Sequence, residues 1–125
     1  MNRPMDWAED IVERLASFAD EQRLVDQAEK GWRAWFVNEG GTIEGWRADD
    51  LNSKFRSLML CFKSALLPYP YITTSVGLFG PNGGDIGQYR RITLLNGDVN
   101  DDYLEIDCTK SKYQERHART RQRRA

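Results

Sequence analysis

At 125 residues the chain has room for one domain and one core, because a domain of this size buries roughly two thirds of the surface its unfolded form exposes. An apolar share of 40% can supply that core, 30% charged residues supply a solvated exterior, and the longest apolar run, Leu58–Phe62, falls far short of the ~18 residues that suggest a membrane span. The net charge of −1 hides a division: seven basic residues against Glu115 alone give residues 110–125 a charge of +6, leaving −7 on residues 1–109.

The expected organisation is therefore a single α+β domain over residues 1–109 followed by a basic tail or helix over 110–125. Met1–Trp7 leads into acidic residues rather than an apolar run, so no secretory signal is expected and the cytoplasm is the expected location. Cys61 and Cys108 are too few for a disulfide framework and lack the paired spacing of a zinc site. Two reduced, partly buried thiols are expected, with a single bridge between them left open.

In chain order, Asp6 and Glu9 form a weak relative of the capping box, and Trp7, Ile11, Leu15, Phe18 and Val25 make one apolar stripe interrupted at Gln22. A helix over 7–30, stopped by Gly31, follows. Trp32–Val37 and Thr42–Arg47 flank the turn sequence Asn38-Glu39-Gly40-Gly41 and read as a β-hairpin. Asp49 or Asp50 then caps a second helix with the stripe Leu51, Phe55, Leu58, Phe62 and Leu66, ended by Pro68 and Pro70. From Tyr71 the period becomes two, with Ile72, Thr74, Val76 and Leu78 alternating against their neighbours. Gly80–Gly87 reads as a loop, and Gln88–Leu95 and Tyr103–Ile106 as two further strands. Asn96-Gly97 signals a hairpin that pairs Ile92 either with Asp101 or, through a longer loop, with Ile106; packing favours the second. In the tail, Ser111 with Gln114 and Glu115 with Arg119 support a short third helix.

The expected fold is thus an antiparallel sheet of about five strands with two long helices packed on one face and a short basic C-terminal helix. The other face, bearing some of Thr73, Ser75, Arg91 and Thr93, would be open to a partner. The order helix, hairpin, helix, three strands, helix is similar in outline to small effector chaperones and to some toxin-immunity proteins, acidic α+β proteins that work by binding another protein. No motif carries that likeness, and a fold does not fix a function.

Several constellations invite a site. Gly31-Trp32-Arg33-Ala34 recurs as Gly45-Trp46-Arg47-Ala48, and a hairpin between the copies would gather two indoles and two guanidiniums able to hold an anion or a planar ring. The plainer reading buries Trp32 and Trp46 and leaves Arg33 and Arg47 along the surface. Gly80–Gly87 lacks the Gly-Lys-Ser/Thr of a phosphate loop and leads into a strand, although Arg90 and Arg91 beside it could contact an anion. Asp98, Asn100 and Asp102 copy the first ligand spacings of a calcium loop, but Tyr103 and Thr109 stand where its glycine and bidentate glutamate belong, so no metal is expected. His117, the one histidine, lies in the arginine-rich tail, which removes a conventional histidine triad. No cofactor is expected, and the balance leans away from an enzyme.

The leading expectation is a small non-catalytic protein that binds another protein through an acidic or sheet surface, as an inhibitor, immunity factor or chaperone. A second is RNA or DNA binding through Lys110, Lys112, Arg116, Arg119, Arg121, Arg123 and Arg124, with the tail docking on the acidic body as its rival role. A third, weaker reading is a small-ligand pocket lined by Trp and Arg. A homodimer is compatible with all three.

Overall fold

The computed structural model describes residues 6–65 and 67–107. Two helices, α1 (Asp6–Glu21) and α2 (Leu24–Asn38), precede a short hairpin of β1 (Thr42–Ile43) and β2 (Trp46–Arg47) and a 3-10 turn at Ala48–Asp50. Four longer strands follow: β3 (Asn52–Cys61), β4 (Tyr71–Phe79), β5 (Asp85–Leu94) and β6 (Val99–Ile106). They form an antiparallel meander in chain order, so the architecture is α+β with a four-stranded and a two-stranded sheet rather than one sheet of five.

The helical half differs from the expectation in two ways. The single helix over 7–30 is broken after Glu21, where Gln22 interrupts the apolar stripe and Arg23 takes a left-handed backbone with φ 52°. Gly31 does not stop the helix; it lies inside α2, whose buried residues Leu24, Ala28, Trp32 and Phe36 recur every four positions. That spacing outweighs the strand preference of the aromatic residues, so Trp32–Val37 is helical. The stop comes at Gly40-Gly41, with φ of +88° and +102°, where the Gly41 amide donates to the Phe36 carbonyl at 2.7 Å and the Gly40 amide to Val37 at 3.2 Å. This is a Schellman-type closure, which takes a left-handed residue just past the helix. Of the expected hairpin only the second strand is extended, and it folds on itself: Thr42 pairs with Arg47 and Ile43 with Trp46 across Glu44-Gly45.

The second long helix expected over 51–66 is strand β3. Ser53, Phe55, Leu58 and Leu60 pair with Leu78, Val76, Thr74 and Ile72, and a bulge between Phe55 and Ser57 inserts one residue. Directly opposed residues share a face, so the bulge converts strand alternation into a three-residue step from Phe55 to Leu58. That step imitates a helical stripe. At the other end, Ile92 pairs with Asp101, not with Ile106. Leu94 donates to the Asp98 carbonyl and Gly97 to that of Leu94, closing a three-residue loop with Gly97 at φ +95°, and a bulge between Ile92 and Thr93 restores the register. Ile106 consequently pairs with Gly87.

Both helices lie on one face of the large sheet. Ala28, Trp32 and Phe36 of α2 pack with Trp46, Leu51, Val76, Leu78, Ile86 and Tyr89, while Ala19 of α1 joins Leu24 and Ile72 in a smaller cluster. Gly31 lets α2 come this close: a Cβ there would lie 2.1 Å from Tyr89 Oη and 2.9 Å from Arg91 Nη1. The observed order, two helices then strands, is not the order on which the outline likeness to effector chaperones and immunity proteins rested. The third helix expected in the tail lies outside the described residues.

Candidate functional site

The alternation of β4 assigns the faces. Ile72, Thr74, Val76 and Leu78 are buried toward the helices, and Tyr71, Thr73, Ser75 and Phe79 are only half-buried on the far side. Pairing extends that far side to Lys54, Ser57, Met59 and Cys61 of β3, Gln88, Arg90, Ile92 and Leu94 of β5, and Asp101, Tyr103 and Glu105 of β6. No described helix or strand covers it. Met59 is 57% exposed and Tyr103 40%, so the face presents apolar area beside charge.

Four of the charges on this face form two ion pairs. Arg56 reaches across the bare Cα of Gly77, lies 5.7 Å from the Phe79 ring centroid and binds Asp85 Oδ2 at 2.6 Å. Lys54 Nζ sits 5.1 Å from the same ring. Arg90 donates to Glu105 at 2.9 Å and lies 5.9 Å from the Tyr103 ring, and Gln88 also donates to Glu105 at 3.1 Å. The Gln88 hydrogen bond, with the Arg90 charge beside it, holds the Glu105 carboxyl below its ordinary value against the opposing effect of burial. A hydrogen bond to Asp101 raises the Tyr103 phenol. Arg56 and Arg90 thus meet Asp85 and Glu105, Lys54 and Asp101 add one charge of each sign, and the face is balanced rather than acidic. A polar hollow of about 460 Å³ opens at its Arg56–Asp85–Glu105 end.

The four residues of the repeated tetrapeptide separate by chemistry. Trp32 is 0% exposed and Trp46 2%, so neither ring face is accessible to a ligand. Arg33 and Arg47, by contrast, line one hollow of about 300 Å³ together with Phe36, Val37 and Asp49. Arg33 lies 4.5 Å from the Trp32 ring centroid and is held by Glu29 at 3.3 Å and Asp49 at 3.9 Å. Glu29 accepts from Ser53 Oγ, from Trp32 Nε1 at 3.0 Å and from Arg33. Burial pushes its pKa up, but these hydrogen bonds and the Arg33 charge prevail and leave it below 4.5. An anion entering this hollow competes with two carboxylates.

Arg90 and Arg91, adjacent in sequence, point to opposite faces of β5. Arg91 lies on the helix side, where its Nη1 donates to Tyr89 Oη at 3.3 Å and Tyr89 donates to Asp102 Oδ2 at 2.7 Å. Burial and the Asp102 carboxylate push the Tyr89 phenol up to about 12, so it stays a donor throughout the working pH range. Trp35 Nε1 adds a second bond to Asp102 at 3.2 Å. Asp102 is thereby used in holding α2 and β5 to β6, while Asp98 lies in the turn and accepts from Asn96 Nδ2. Among the described residues no three His, Cys, Asp or Glu side chains are grouped to hold a metal.

Thr73 and Ser75 are on the open face as expected, whereas Arg91 and Thr93 are on the covered one. Met59, Phe79, Ile92 and Tyr103 were not singled out from sequence, although alternation through Gln88, Arg90 and Ile92 was the available signal. Lys110, Lys112, Arg116, Arg119, Arg121, Arg123, Arg124 and Cys108 lie outside the described residues. No helix among the described residues is long and apolar enough to cross a membrane. The chain matches no protein-family model, no curated protein and no solved structure.

Proposed function

We propose that this chain is a small binding protein that engages a folded partner protein through the uncovered face of the β3–β6 sheet. The observation that supports the reading is the composition of that face: Met59, Tyr103, Ile92 and Phe79 supply apolar and aromatic area, and Lys54, Arg56, Arg90, Asp85, Asp101 and Glu105 supply charge of both signs. Aromatic residues, Met and Arg are the types enriched in protein interfaces, where a dry centre is ringed by polar groups. A balanced face also favours a partner with its own mixture of apolar and polar groups over a polyanion. The charge balance of the face favours the sheet surface over an acidic surface as the binding element.

The test places a photo-crosslinking residue at Thr73, with a control at Asn38 on the end of α2, in the protein's own cell extract. A partner captured at Thr73 and not at Asn38 is then purified, and its affinity measured for wild type and Ile92→Arg. The expected result is at least a tenfold weaker complex with an unchanged melting temperature, since Ile92 is half-exposed. Capture of a second copy of the chain would make the interface a homodimer. Wild-type affinity in Ile92→Arg, or binding confined to RNA and abolished by deleting residues 110–125, would overturn the proposal.

A further inference from the structure

A second site stands out on the opposite side of the sheet, at the junction of α1, α2 and the β5–β6 turn. Here a hollow of about 190 Å³ is lined by Gln22, Leu24, Gln27, Arg91, Thr93, Gly97 and Val99. Among the described residues it has one cation, two amides and a hydroxyl, and no carboxylate lines it.

Among the described residues, Arg91 and Thr93 of this lining each carry a buried donor with no hydrogen-bond partner. Thr93 is 2% exposed and its Oγ1 is unpaired; so is Arg91 Nε, likewise shielded from solvent. A buried polar group ordinarily finds a partner, because leaving one unmade costs about 1–3 kcal/mol. The orientation of Arg91 explains why its Nε is available. Gly31 and Tyr89 fix the Nη1 end, with Asp102 reached only through the Tyr89 hydroxyl, and this leaves the Nε edge of the guanidinium unused. That edge, with its neighbouring Nη2, is the fork that matches two oxygens of a carboxylate or phosphate.

Thr93 is two residues along the same strand and therefore on the same face as Arg91, about 6.6 Å away along the backbone. α2 adds to the arrangement, since it begins at Leu24 after Arg23, which offers no side-chain cap to the first free amides. Its positive end thus faces the same junction. Asp26 is the acidic residue of that first turn, but it does not line the hollow.

We infer that this hollow binds a small oxyanion, with the Nε edge of Arg91 and the Thr93 hydroxyl as its principal donors and the Gln22 and Gln27 amides as supporting ones. The site is independent of the sheet face, which lies across the strands from it. Its occupant is a free carboxylate or phosphate group of a few heavy atoms, as the volume requires.

The experiment is a titration of the ¹⁵N-labelled full chain with sodium acetate and, separately, with inorganic phosphate, at constant ionic strength held by sodium chloride, following the arginine Nε–Hε signals. The expected result is a saturable shift of Arg91, at least fivefold larger than that of any other arginine. Saturation with acetate alone assigns a planar carboxylate site, and with phosphate a tetrahedral one. Thr93→Val keeps the shape of the side chain and is expected to weaken binding at least threefold, and Arg91→Lys, which lacks the fork, at least tenfold. Linear shifts shared by all arginines, or a Thr93→Val protein that titrates as the wild type does, would overturn the assignment.

Discussion

Gly31 shows most directly how single residues hold this fold. It sits inside a helix, where alanine is favoured by roughly 1 kcal/mol, yet the Tyr89 hydroxyl occupies the space a Cβ would need. Tyr89 is fully buried and bonded to Asp102, so it has no easy retreat. Gly31→Ala is therefore expected to destabilise the protein by about 1–3 kcal/mol, the usual cost of overpacking, in chemical denaturation. An unchanged or raised midpoint would mean that α2 stands further from β5 than described. Glu29 gives a second residue-scale expectation. Its lowered pKa means that folding favours the ionised form, so its contribution is complete above 4.5 and is lost as pH falls through the lowered value. Between pH 6 and pH 3 the wild-type melting temperature should fall further than that of Glu29→Gln, in which Ser53, Trp32 and Arg33 no longer face a titrating group. Parallel profiles would show that this carboxylate contributes nothing to the acid response.

At the scale of elements, the two-residue turn between β1 and β2 has a suboptimal occupant. Glu44 and Gly45 have φ of 52° and 81°, the pattern of a type I′ turn, in which asparagine or glycine is preferred at both positions. Glu44→Asn should stabilise the protein by about 0.5–1 kcal/mol, read as a higher melting temperature; a decrease would indicate a role for the carboxylate that the turn geometry does not explain.

The elements also show what the sequence could and could not disclose. β4 was legible because strict alternation from Ile72 to Leu78 admits no helical reading. β3 was not, since the bulge at Phe55–Ser57 shifts its inward residues to a spacing a helix would also give. Asn38–Gly41 was recognised as a chain reversal, but the same glycines serve a hairpin or a helix end, and only the four-residue recurrence from Leu24 to Phe36 decides between them. The candidate surface was partly visible for the same reason: Thr73 and Ser75 lie on the plain alternating strand, whereas the faces of Arg91 and Thr93 depend on the pairing partner of β5.

For the molecule as a whole, the consequence of two adjacent helices preceding a four-stranded meander is a two-layer fold. One face of the sheet carries the core, and the other is left to make contacts outside the described elements. The charge division between residues 1–109 and 110–125 sets the basic tail apart from this face, on which the charges are balanced. Binding through the open face is best tested on the complex of the chain with the partner captured at Thr73, by methyl NMR. Outside the bulges, side chains on the two faces alternate along the strands, so the footprint distinguishes the faces residue by residue. Perturbation of the Met59, Thr73, Ile92 and Leu94 methyls is expected, with Ile72, Val76, Leu78 and Ile86 unaffected. A footprint on the outer surface of the helices, or one confined to residues 110–125, would contradict it.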